Sequence, residues 1–435
     1  MSEPIRIEPL VGPLAALVTL PGSKSITNRA LVCAALAKGT SHLRNALEAD
    51  DTYAMVAGLQ VLGIEVDAHW NDGQIEVTGC AGQPVADAAM VDARLSGTTA
   101  RFLLPMAALG DGHRRVDGSN RMRERPMVDA IDALRELGVD VLNVGAPGHL
   151  PVDIIAGTLM GGEVSMHGDA SSQFLSGLLL TAPAMPAGLT VHVDGPLVSR
   201  PYVTMTMRVM AAFGVEVAQP DDATWVVAPQ EYRGTDYAIE PDASAASYVF
   251  AAAAIVGGSV RVRGLGRDSL QGDLAFVDLL EQMGAQVDRS GPDTVVSRSG
   301  PLRGIDAWMT DISDTAQTLA AVAAFADGPT TVSGIGFIRG KETDRIHAVV
   351  TELQRLGIDA EEQPDGFVVR PGPIGAGVVQ TYDDHRMAMA FALIGLRAPG
   401  VAIADPACVG KTFPGYWLLL EELRGSGTGT MVLPS

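Results

Sequence analysis

The chain has 435 residues, 47% of them hydrophobic and 19% charged, with a formal net charge of −20. This length leaves room for roughly two to four domains with ample core. The acidity excludes nucleic acid and anionic membrane as expected partners, but not a small anion held in a locally cationic site.

The N-terminal residues, Met1 to Leu10, lack the basic and apolar regions of a signal peptide, and no apolar run is long enough to span a bilayer. Three cysteines (Cys33, Cys80, Cys408) stand in no metal-ligand spacing, which predicts a reducing, cytoplasmic setting.

The first informative stretch is Pro21-Gly22-Ser23-Lys24-Ser25-Ile26-Thr27-Asn28-Arg29, leading into the apolar run Leu31 to Leu36. It predicts a buried helix capped by Ser23, with Lys24 in its first turn and Ser25 and Arg29 on one face. Unpaired N–H groups and the positive dipole end lie there too, so the place suits a phosphate or carboxylate.

Further along, a helix end, a glycine and an alternating extended piece recur together. The glycines are Gly63, Gly138, Gly214, Gly284 and Gly357, with a degenerate last copy at Gly425, at steps of 75, 76, 70, 73 and 68. A second series, Gly39, Gly112, Gly188, Gly258, Gly328 and Gly400, steps by 73, 76, 70, 70 and 72 and ends Ala/Leu-rich helices. Two markers with one period predict six αβ units, each with two helices and several strands. The helices before the second series are apolar all round and so lie inside their units.

Those six buried helices open at Ser23-Lys24-Ser25, Ser96-Gly97-Thr98, Ser171-Ser172-Gln173, Asp242-Ala243-Ser244, Asp314-Thr315 and Asp383-Asp384-His385-Arg386. All six carry side chains able to cap. Basic residues follow them: Arg101, the run Arg121-Met122-Arg123-Glu124-Arg125, Arg200, Lys341-Glu342-Thr343-Asp344-Arg345, Arg386 and Lys411. Any one such charge is ordinarily a solvated surface cation; their recurrence beside helix openings is what points to an anion site. Only four of the 31 basic residues are lysines, Lys24, Lys38, Lys341 and Lys411, so a lysine marks a place that wants a compact ammonium.

These motifs, with Lys411-Thr412-Phe413-Pro414 and Asp384-His385-Arg386-Met387-Ala388-Met389, resemble the 5-enolpyruvylshikimate-3-phosphate synthases over nearly the whole chain. The resemblance implies an α/β fold of two domains, an inside-out α/β barrel of six βαβαββ repeats, three per domain, around buried parallel helices. By that pattern residues 1–20 join 240–435, residues 21–239 form the other domain, and the active site lies in the cleft between them.

It further implies a monomeric enzyme that moves the enolpyruvyl group of phosphoenolpyruvate to the 5-hydroxyl of shikimate 3-phosphate, with no metal and no organic cofactor. Lys24, Arg125, Arg345, Arg386 and Lys411 are then expected on phosphoenolpyruvate, with Gly97 and Gln173 against it. Gly97 also marks where the family admits the herbicide glyphosate. Ser25, Arg29, Ser171, Ser172, Ser199, Asp314 and Lys341 are expected on shikimate 3-phosphate, with Tyr202 supporting its ring. Asp314 is implied as base, Glu342 as acid, and Lys24 beside the transferring group.

Three positions depart from the family pattern. Leu95 and Phe337 stand where asparagines are frequent, and Phe102 where proline is; altered affinity is expected rather than another reaction. The rival readings are the related transferase acting on UDP-N-acetylglucosamine and a non-catalytic anion-binding protein. The first uses a loop cysteine and a Lys-Asn pair, whereas here the pair is Lys24-Ser25 with no cysteine near Arg121 to Arg125; the second would not be expected to keep both Asp314 and Glu342.

Overall fold

The computed structural model describes residues 3–157 and 159–425. The chain divides into two compact units, one made of Met1–Pro21 with Glu240–Ser435 and one of Gly22–Ile239.

Five four-stranded sheets share one plan. In the sheet of Ala88–Asp92, Gly112–Asp117, Val152–Ala156 and Asp140–Asn143, the first pair is parallel and the other two are antiparallel. The parallel strands are joined through the buried helix Gly97–Met106, and the helix Val128–Glu136 follows the second strand, which is the expected βαβαββ order. Alternation decides which face each strand buries. In Gln74–Thr78, Ile75 and Val77 turn inward between exposed polar neighbours.

Two repeats borrow their opening strand from elsewhere in their own unit. Asp236–Ala238 pairs in parallel with Thr40–Arg44, and Leu14–Val18 pairs in parallel with Gly258–Val262. The last repeat differs from the six-fold expectation. Its sheet has three strands among the described residues, Gly377–Val379, Val401–Ile403 and the N-terminal Ile5–Arg6, and closes with the helix Tyr416–Gly425. The degenerate glycine copy reflects this: Gly425 ends a helix, and residues 426–435 lie outside the described residues.

The buried helices follow from composition. Ala243–Val256 buries every residue except Ser244 and Val256, since its alanines and apolar side chains leave no polar face. Within each unit three such helices pack on one another. The approach can be very close: a Cβ at Gly177 would stand 2.3 Å from the Arg101 carbonyl oxygen, so only glycine lets the helices Ser172–Thr181 and Gly97–Met106 meet as they do. The glycines Gly63, Gly138, Gly214, Gly284 and Gly357 all take positive φ, the left-handed stop that turns each outer helix toward its next strand. No helix among the described residues is long and apolar enough to cross a membrane.

Candidate active site

Five of the six openings are capped by the residue expected. Ser23, Ser96, Ser171, Asp242 and Asp384 each accept a backbone N–H of the helix they precede. The sixth expectation is corrected. Asp314 lies in a 3-10 turn, Ser313–Thr315, and the helix Ala316–Ala323 has no side-chain cap. Its carboxylate accepts from Arg345 Nη1 at 3.1 Å and from Arg386 Nη2 at 2.6 Å instead. Two guanidinium donors outcompete a neutral amide because charge-assisted bonds are the stronger.

That exchange opens a dense ionic cluster in the unit holding Glu240–Ser435. Arg345 is only 2% exposed and reaches three carboxylates, giving Nε to Asp384 Oδ2 at 2.8 Å, Nη1 to Asp314 and Nη2 to Glu342 Oε2 at 2.8 Å. Lys411 Nζ holds the other Glu342 oxygen, and Arg386 Nη1 donates to the Asp314 carbonyl at 2.9 Å. Burial opposes the Arg345 charge, but Asp384, Glu342 and Asp314 more than offset it, so its pKa is raised. Three cations and three carboxylates thus interlock, which lets charge be buried here at all.

Arg345 and Arg386 occupy the first turns of their helices, where the dipole disfavours a cation. The surrounding carboxylates compensate for that placement, and it also sets both cations where an anion could be bound. His385, between Asp384 and Arg386, is fully buried; neither ring nitrogen is hydrogen-bonded to a described residue, and Nδ1 stands 3.7 Å from Asp384 Oδ1. Burial, helped by the charges of Lys411 and Arg386, pushes its pKa well below the usual imidazole range. Lys341 closes the turn Gly336–Gly340 with Nζ 5.8 Å from the centre of the Phe337 ring, so an aromatic face serves the ammonium where the family often has an amide.

The unit Gly22–Ile239 carries a second cluster. Lys24 Nζ lies 3.3 Å from Asp51 Oδ2, a nearly buried carboxylate in the first turn of Asp50–Val61. Arg101 donates from Nη1 to Gln173 Oε1 at 2.8 Å, with its guanidinium 4.8 Å from the centre of the Phe174 ring, while Gln173 Nε2 reaches Thr98 Oγ1 at 3.4 Å. The second and third openings therefore meet through side chains. A Cβ on Gly97 would stand 2.8 Å from both Arg101 Nη1 and Arg125 Nη1, so Arg125 is brought against the same opening. Ser171 and Ser172 are buried beside Gln173.

Other expected residues are placed differently from a simple ligand shell. Arg29 is fully buried, and its donors go to Thr206 Oγ1, the Ser25 carbonyl and the Tyr202 carbonyl. Ser25 and Arg29 share a face as expected, but their bond is to the Ser25 backbone. Burial pushes the Arg29 pKa down to about 10, and its guanidinium lies 5.1 Å from the Phe102 ring centre and 5.9 Å from that of Tyr202. Ser199 is held at φ 54° ahead of the helix Arg200–Ala212. Leu95 is half-buried. Arg121 and Arg123 pair with Glu124 and Asp117, and Arg200 donates to the Asp222 carbonyl, the ordinary surface roles.

Sequence reasoning missed Asp51, the partner of Lys24, and used Asp384 only as part of an opening. The sequence marks each as an acid in the first turn or cap of a helix, but not which cation it meets.

Comparison with known proteins gives a consistent result. Residues 10–420 match the family model of EPSP synthase (3-phosphoshikimate 1-carboxyvinyltransferase). A 3-phosphoshikimate 1-carboxyvinyltransferase of Nostoc punctiforme is 48% identical over 95% of this chain and 98% of its own length. One from a Shewanella strain is 42% identical over 97% of this chain and 99% of its own. Among solved structures, EPSP synthase from Acinetobacter baumannii superposes with a TM-score of 0.82 at 26% identity, covering 97% of this chain and 98% of that one. With the six small sheets and buried helices described above, these matches establish the two-domain inside-out α/β fold. The chain belongs to the EPSP synthase (3-phosphoshikimate 1-carboxyvinyltransferase) family.

Proposed function

We propose that this protein transfers the enolpyruvyl group of phosphoenolpyruvate to the 5-hydroxyl of shikimate 3-phosphate and releases phosphate. The observation that carries the reading is the cluster in which Asp314 and Glu342 are each bound to two cations. Anionic substrates compete with those carboxylates for Arg345, Arg386 and Lys411. As the carboxylate and phosphate of phosphoenolpyruvate take the cations, both carboxylates are released for proton transfer.

Asp314 then removes the proton of the attacking hydroxyl, whose oxygen bonds to the substituted carbon of phosphoenolpyruvate. Glu342 delivers a proton to the methylene carbon. Facing an anion in place of two cations favours its protonated form. The product of addition is a tetrahedral intermediate. Loss of phosphate and of one methyl proton restores the double bond, with Glu342 taking that proton back. Lys24 lies beside the transferring group; Arg125, Gly97 and Gln173 complete the seat of phosphoenolpyruvate. Ser25, Ser171, Ser172, Ser199, Tyr202 and Lys341 hold shikimate 3-phosphate, with Arg29 acting from beneath to fix Ser25 and Tyr202.

The transferase that uses a loop cysteine finds no support in the thiols. Burial pushes Cys33 and Cys408 up to about 12 and raises Cys80, the opposite of an activated thiolate. The test is phosphate release with both substrates and with each omitted in turn. Release that is independent of shikimate 3-phosphate would overturn the reading.

A further inference from the structure

The turn that leads into Asp384-His385-Arg386 holds two consecutive non-glycine residues in the left-handed region, Tyr382 at φ 55° and Asp383 at φ 55°. Residues with a Cβ adopt that conformation only when their surroundings impose it. The helix Arg345–Arg355 does so from two points. At its first residue, Arg345 Nε grips Asp384 Oδ2 at 2.8 Å. Two helical turns later on the same face, Glu352 accepts the Gln380 N–H at 2.9 Å and the Tyr382 hydroxyl at 2.7 Å.

Glu352 is completely buried, and its remaining bonds are both with Arg355, from Nε at 2.8 Å and from Nη2 at 3.3 Å. A surface helix has no packing reason to bury a carboxylate, whose desolvation must be offset by its partners. Two of those partners bear on the turn: Gln380 lies two residues before the strained pair, and Tyr382 is its first member. The turn closes with Asp384 N–H to the Thr381 carbonyl at 2.9 Å, and Asp384 Oδ1 then accepts the Arg386 N–H at 2.9 Å.

We propose that Glu352 and Tyr382 form a positioning pair that holds the left-handed turn at Tyr382 and Asp383, and through it sets Asp384 and Arg386 for substrate binding. The inference rests on the proposed function for the role of Arg386, but the geometry of the clamp does not. Neither residue touches substrate; their effect passes through the backbone.

The test is a double-mutant cycle with Tyr382→Phe and Asp383→Gly. Tyr382 is 39% exposed, and Glu352 keeps its bonds to Gln380 and Arg355 when the hydroxyl is lost, so the fold should stand. Tyr382→Phe should raise KM for phosphoenolpyruvate and lower kcat/KM by about 10-fold, a coupling of the size found between residues in one network. Glycine takes positive φ without a clamp, so in the Asp383→Gly background the same change should cost less than about 3-fold. Equal losses in the two backgrounds, or no loss in either, overturn the inference.

Hydrogen exchange at the Gln380, Asp384 and Arg386 amides gives a readout independent of the reaction. It should quicken in Tyr382→Phe and in Glu352→Gln; unchanged exchange in Tyr382→Phe also overturns the clamp. Phosphate release by the unaltered enzyme that does not require both substrates would defeat the functional reading and leave the exchange result to decide the clamp.

Discussion

Arg386 Nη2 stands 2.6 Å from Asp314 Oδ2, and the same guanidinium reaches the Asp314 carbonyl at 2.9 Å. The proposed base and one of the proposed anion clamps are therefore bound to each other. Phosphoenolpyruvate must displace one partner of the other to be held.

Asp314→Asn tests that exchange. It removes the base and, with it, a competitor for Arg345 and Arg386. Turnover should fall by roughly 10²–10⁴-fold, the range of general acid–base catalysis, while KM for phosphoenolpyruvate does not rise. Steady-state phosphate release measures both. Near-normal kcat with a raised KM would make Asp314 a binding group only.

Glu342→Gln should abolish product formation and also block exchange of the methylene hydrogens of phosphoenolpyruvate with solvent. Glutamine keeps the shape but cannot deliver the proton, and Lys411 loses its carboxylate. Deuterium uptake followed by NMR reads the exchange. Uptake at the wild-type rate would remove Glu342 as the acid and leave Lys24 as the leading donor.

Gly97→Ala acts through arginines. Its methyl would come within 2.8 Å of Arg101 Nη1 and Arg125 Nη1, so both guanidinium groups must shift. KM for phosphoenolpyruvate should rise with kcat less affected. Glyphosate, the longer anion, should lose more affinity than phosphoenolpyruvate does. Inhibition and KM measured on the same preparations decide it; equal inhibition of parent and variant would contradict the placement of Arg125.

His385 makes stability pH-dependent. Burial and the nearby Lys411 and Arg386 charges hold its native pKa well below that of the unfolded chain, near 6.5. Below that value the unfolded state binds a proton that the native state refuses, so stability falls as pH drops. Between about pH 7 and pH 5, the urea midpoint of His385→Leu should therefore decline less than that of the parent. Parallel declines would mean that native His385 takes up a proton as readily as the unfolded chain does.

Much of this was legible in the chain. The glycine series announced the repeats because a left-handed helix stop is local chemistry, written in one residue at a time. Five helix caps were readable for the same reason, since a serine or aspartate and the N–H it accepts lie within three positions. The cations that gather at Asp314 and Glu342 were readable as types and through family resemblance.

Their partners were not. Asp314 looked like a cap because nothing local shows that Arg345 and Arg386, distant in sequence, arrive at its carboxylate. Lys24 and Asp51 meet because two helices of one repeat bring their first turns together, and Arg29 turns into the interior because Thr206 and the Tyr202 carbonyl are packed against it. Helix starts, stops and buried faces depend on neighbours along the chain, so the sequence by itself determined them. Which carboxylate neutralises which cation depends on how whole helices pack, and only the tertiary structure decided that.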